Sequence, residues 1–222
     1  VCMMASYLGG RPEVAADFKR GFVFCLFLIG VSVAPVLTQP DFGTSLMIAA
    51  VGCLLMFVAG ARLKYLFTLC LASVPFIYYA IILFPYRMRR VLAFLDPWSD
   101  PQGKGFQIVQ SFLAIGRGNM TGVGLGESTQ KLFYLPAAHT DFIFSILAEE
   151  LGFAGCTCVI LCFAILAITG FSIAMRTRNV FDSLVALGCT AHITFQAIFN
   201  IAVVTGSVPT KGIPLPFISF GG

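Results

Sequence analysis

Charge is scarce in this chain. Asp, Glu, Lys and Arg make up 11% of its 222 residues against 58% hydrophobic, with two His and one Trp. Soluble domains carry roughly 25% charged residues. So few charged groups cannot cover a water-facing surface, and a mean hydropathy of +0.92 sets the apolar excess against lipid. A soluble fold is excluded. Long basic runs are also missing, so the net charge of +4 gives no arm for nucleic acid. The longest polar stretch has no cysteine, and Cys2, Cys25, Cys53, Cys70, Cys156, Cys158, Cys162 and Cys189 all fall in or beside apolar runs, which excludes a disulfide framework. Cys156, Cys158 and Cys162 have no His nearby and read as small buried hydrophobes rather than metal ligands.

What the chain does have is long stretches without charge. Five occur, over residues 21–40, 42–61, 65–86, 151–175 and 183–210, and shorter ones lie at 1–10 and 212–222. A spanning helix needs about 20 mainly apolar residues. The runs lack the alternation of a membrane barrel strand. The expected fold is an all-α polytopic membrane bundle with five full spans and two partial terminal spans. One long extracytoplasmic loop, 85–140, completes it. The start at Val1 and the stop at Gly222 inside an apolar run lead us to expect a piece of a longer protein, a single membrane domain over 1–222. Arg11, Lys19, Arg20, Arg62, Lys64, Arg176 and Arg178 fall in loops of one side, which the positive-inside rule makes cytoplasmic. Within the long loop, Phe106, Val109, Phe112 and Leu113 recur near helical spacing, and a short helix in the headgroup layer is expected there.

Chemistry-bearing residues cluster where this loop ends. Gly122, Gly124 and Gly126 alternate between Arg117 and Lys131, a pattern that either cradles a phosphate or forms a flexible turn. Pro136, His139, Thr140 and Asp141 meet the next apolar run. Asp141 suits an N-cap, and equally a general base held against low-dielectric surroundings, with His139 placed to orient it. Glu149 and Glu150 are expected two turns into the following span, where ionisable groups face a bundle interior or a wet cavity. His192, Gln196 and Asn200 recur every four residues as a polar seam that either bonds neighbouring helices or lines a groove. Asp41 caps one span, and the Pro209 to Pro216 stretch makes a rigid extended lead with Lys211 at its tip.

Five segments carry a resemblance: QPDFGTS at Gln39, PYRMRRVLAFLDPW at Pro85, GFQIVQSFLAIGRG at Gly105, GLGESTQKLFYLPAAHTDFIFSILAEELGF at Gly124, and PTKGIPLPFISFGG at Pro209. In that order and nearly end to end, they resemble the SEDS family (shape, elongation, division and sporulation), and its division branch more than its elongation branch. Phe220 replaces the Tyr usual in the last motif. The resemblance implies a peptidoglycan glycosyltransferase that polymerises lipid II on the outer face of the bacterial inner membrane, at the septum. It puts the catalytic Asp on Asp141 and makes Arg117, Lys131, His139 and Lys211 candidate substrate contacts. Glu149, Glu150, His192, Gln196 and Asn200 are then structural or groove-lining. The resemblance further implies a single-span class B penicillin-binding transpeptidase partner and division-complex regulators. A divalent cation such as Mg or Mn would suit the leaving diphosphate, although no ligand spacing marks a site for it. A lipid II transporter (flippase) and a non-catalytic division scaffold are the competing readings.

Overall fold

The computed structural model describes residues 1–222 apart from 11–13, 15–16, 40, 84, 104, 129–139 and 221–222. The described residues form helices and no strands: α1 (Cys2–Gly9), α2 (Phe24–Thr38), α3 (Phe42–Val58), α4 (Leu63–Ile82), α5 (Pro85–Leu95), α6 (Phe106–Gly118), α7 (Ile143–Arg176) and α8 (Val180–Val204). A π-helical turn, Phe18–Val23, leads into α2, and the Asp17 carboxylate accepts from the Lys19 amide at its start. Among the described residues, three helical segments are long and apolar enough to cross a membrane, Phe18–Thr38, α7 and α8. The other two expected spans are the shorter apolar helices α3 and α4. At 17 residues α3 rises about 25 Å, near the lower limit for a span. Asp41 caps α3 as expected, accepting from the Thr44 amide at 3.3 Å and the Thr44 hydroxyl at 2.6 Å.

The chain gathers into two compact units, residues 1–78 with 165–195, and 79–164 with 196–222. In the first, Met4, Leu8, Cys25, Ile29, Leu55 and Leu184 belong to one buried apolar cluster. Gly52 lies so close to Ile29 that a Cβ would stand 2.6 Å from its side chain.

In the second unit, Phe142, Phe144, Ile146, Val203, Val204 and Leu215 form the core. The long loop is largely helical there, as α5 and α6. The expected short helix is α6, but it is not simply laid on a surface, because Ile108, Val109, Ser111 and Ala114 are buried. Small residues make this possible. The Ser111 hydroxyl shares a 2.7 Å hydrogen bond with Ser145 of α7 and donates to the Val204 carbonyl, one of the orphan acceptors ending α8. Gly118 packs against the Ala148 backbone with no room for a Cβ.

The main departure from expectation is in α7. Its backbone leaves helical geometry at Gly152 (φ 63°, ψ −162°), which separates 143–151 from the long apolar stretch after it. Glu149 and Glu150 therefore end a short helix at a break instead of lying within a continuous span. A charge-gap reading cannot see this, since a glycine does not interrupt an apolar run. At the other end, residues 209–215 form no regular secondary structure, the Ile213 amide turning back to the Lys211 carbonyl at 3.0 Å over Gly212, and turns rather than helix follow to Phe220.

Candidate functional site

Asp141 lies in the turn just before α7, in the second unit. The 209–215 segment crosses it, held by side chains from two helices. Asn200 of α8, 1% exposed, donates through Nδ2 to the Asp141 carbonyl at 2.8 Å and to the Ile213 carbonyl at 2.7 Å. Gln196, one turn earlier, donates to the Pro214 carbonyl at 3.1 Å. Arg90 of α5 donates from Nη1 to the Thr210 carbonyl at 3.1 Å. A segment outside helix and sheet has no ladder partners of its own, so these donors satisfy carbonyls that would otherwise be left without bonds. Between Thr210 and Ile213, Gly212 comes against the carboxylate, and a Cβ there would stand 2.7 Å from Asp141 Oδ2. Lys211 precedes it with its Nζ buried.

The electrostatics of Asp141 follow from this partial burial. Burial pushes its carboxyl above the usual aspartate range, because a low-dielectric setting disfavours the charged form. A hydrogen bond from Thr140 and the positive charge of Arg90 pull it back. The result is a carboxylate whose proton affinity is raised and checked by a cation, a combination suited to a general base.

A second cluster stands at the far end of helix 143–151, about 12 Å along the axis from Asp141. Glu149 is 1% exposed, with Arg117 Nη1 3.6 Å from one carboxylate oxygen and the Ser128 hydroxyl donating to the other at 2.5 Å. Backbone bonds join the same elements across the break. Val123 and Gly124 donate to the Glu149 and Glu150 carbonyls, while Phe153 and Ala154 donate to Asn119 and Met120. The glycine-rich loop thus fills both halves of the broken helix ladder. Gly122, Val123 and Gly124 spend their amides on backbone carbonyls, which favours the turn over a phosphate cradle.

The structure brings together Asp141, Gln196, Asn200 and the Lys211 segment, and separately Arg117 with Glu149. The polar seam does not act as one. Gln196 and Asn200 bind backbone carbonyls of the 209–215 segment, whereas His192 is exposed in the first unit and lines an apolar cavity of 560 Å³ with Met4, Leu28, Ile29, Val51 and Leu55. Lys131 and His139 lie outside the described residues. Arg90 is not among the residues the sequence marks out. The signal available was its place in PYRMRRVLAFL, one helix long, in which Arg87 and Arg90 share a face apart from Arg89. Among the described residues no group of three His, Cys, Asp or Glu could hold a metal ion. The described donors do not make a metal cage: Asp141 offers one carboxylate, and a guanidinium influences it.

Comparison with known proteins bears on this geometry. The chain is 44% identical to the probable peptidoglycan glycosyltransferase FtsW of Geobacter sp. (strain M18) over 222 residues, all of this chain and 60% of that protein. It is 41% identical to stage V sporulation protein E of Bacillus subtilis (strain 168), covering 100% of this chain and 61% of that one. A solved structure described as the structural coordination of polymerization and crosslinking by a peptidoglycan synthase complex matches at 30% identity and a TM-score of 0.76, over 98% of this chain and 60% of that one. The chain thus spans about three-fifths of the length of these relatives, and like them in fold it is a multi-pass helical membrane protein. All of it, residues 1–222, matches the cell cycle protein family of FtsW, RodA and SpoVE, and the chain belongs to that family.

Proposed function

We propose that this chain carries the catalytic region of a peptidoglycan glycosyltransferase that polymerises lipid II during septal wall synthesis. The observation carrying the reading is the half-buried Asp141 carboxylate, with raised proton affinity and a cation set against it. In this reaction Asp141 removes the proton from the acceptor sugar's 4-hydroxyl. The freed oxygen attacks the anomeric carbon of the donor, the bond from that carbon to the diphosphate oxygen breaks, and undecaprenyl diphosphate leaves. Negative charge grows on the leaving group, and a cation beside it lowers the barrier. Lys211, next to Gly212 at the carboxylate, is assigned that contact, with Lys131 and His139 as further substrate contacts on sequence grounds. Arg117 faces Glu149 and is assigned to holding the glycine loop.

The partner is a single-span class B penicillin-binding transpeptidase in the bacterial inner membrane, together with division regulators. The transporter reading has no observation in its favour. Glu149 is engaged by Arg117 and Ser128, and Gln196 and Asn200 donate to backbone carbonyls, so these groups knit the fold rather than border a path. The test is polymerisation of labelled lipid II by the full-length protein with its partner. Asp141→Asn is expected to lose polymer while inserting normally, and polymer of ordinary length from that variant removes Asp141 as the base.

A further inference from the structure

We propose that Arg90 is a positioning residue that keeps Asp141 in its ionised, proton-accepting form, by anchoring α5 to the backbone segment lying against that carboxylate. The inference rests on the reading of Asp141 as the general base and adds to it the group that sets its working pH.

Three contacts fix Arg90 and Asp141 on a common frame. Arg90 Nη1 donates to the Thr210 carbonyl at 3.1 Å, across 120 positions of sequence. Two residues on, a span of about 7 Å at most, Gly212 meets the Asp141 carboxylate so closely that a Cβ would stand 2.7 Å from Oδ2. Asn200 closes the frame by binding the Asp141 and Ile213 carbonyls with one amide nitrogen. The guanidinium cannot move far from the carboxylate without releasing Thr210. A guanidinium suits the role because it carries several N–H donors in a fixed fork together with a permanent charge.

Burial alone would favour the protonated carboxyl, which cannot accept a proton from a sugar hydroxyl. The Arg90 charge works against this, as does the Thr140 hydrogen bond. Among the described residues, the other groups near Asp141 are Lys211, next to Gly212, and the neutral amide of Asn200 on α8. Removing the Arg90 charge leaves burial less opposed. Asp141 then holds its proton to higher pH, and the acid limb of the rate moves upward.

The experiment measures initial rates of labelled lipid II polymerisation against pH, with the full-length protein and its transpeptidase partner in liposomes. Wild type, Arg90→Gln, Arg90→Lys and Asp141→Asn are compared. Arg90→Gln is expected to move the acid midpoint up by about one pH unit, so that its rate falls about tenfold below the midpoint and recovers toward wild type at alkaline pH. Arg90→Lys keeps the charge and is expected to hold the midpoint within a few tenths of a unit of wild type, even if its plateau drops. A merely structural role lowers the plateau of Arg90→Gln at every pH and leaves the midpoint in place, and that result overturns the proposal. An inactive Asp141→Asn with an unmoved midpoint in Arg90→Gln defeats this inference alone. An active Asp141→Asn defeats the base assignment, and the Arg90 proposal falls with it.

Discussion

Gly212 is the residue on which the site closes most tightly, because any side chain there would enter the space of the Asp141 carboxylate. Gly212→Ala is therefore expected to displace the carboxylate or the 209–215 segment, with little effect on the buried core. The predicted signature is a fall in kcat of about tenfold to a hundredfold, the scale of a misplaced reacting group, at near-normal protein yield. Steady-state polymerisation kinetics check it, and an unchanged kcat would show that the contact does not matter to the chemistry. Asp141 stands in the turn before α7, which begins at Ile143, and even a full N-cap is worth only about 1 kcal/mol, too little to unfold a helical bundle. Asp141→Asn thus separates chemistry from folding, with an expected rate loss of at least about a hundredfold.

At the scale of the element, α7 and its break matter most. Gly152 holds a positive φ, and a Cβ on it would collide with the backbone of Gly118, Met120 and Gly122. Gly152→Ala must carry the strain of that conformation, about 1–3 kcal/mol, and push the glycine loop out of the helix gap. Thermal unfolding in detergent should record a lower melting temperature, and an unshifted one would mean the break closes into regular helix at no cost. Glu149 supports the same junction. Glu149→Gln retains an acceptor for Ser128 and loses only the charge toward Arg117, whereas Glu149→Ala strands both partners. We expect polymerisation to decline in the order wild type, Glu149→Gln, Glu149→Ala, Asp141→Asn. A Gln variant as inactive as Asp141→Asn contradicts this order and gives Glu149 a direct part in the reaction. None of this junction could be read from hydropathy. The charge gap began at Leu151, one residue before the break, and Gly152 looked like any small residue in an apolar run.

Over the whole molecule, the features legible in the sequence were those set by local physics. Charge scarcity fixed the membrane class, charge-free runs located Phe18–Thr38, α7 and α8, Asp41 capped α3, and the prolines kept 209–215 out of helix. What stayed hidden depends on partners remote in sequence. Arg90 matters through a carbonyl 120 residues away, and the His192, Gln196, Asn200 seam divides according to whether the 209–215 segment passes each residue. Helical periodicity assigns these three one face and cannot say what that face meets.

The central proposal, that a half-buried Asp141 acts as the base of a polymerase rather than serving a carrier, is tested most directly with full-length protein and its transpeptidase partner reconstituted in liposomes. Labelled lipid II is supplied only in the leaflet exposed to the extracytoplasmic side. The account predicts glycan polymer from wild type and none from Asp141→Asn, with lipid II remaining in its original leaflet in both. Equilibration of lipid II between leaflets without polymer, unaffected by Asp141→Asn, would contradict it.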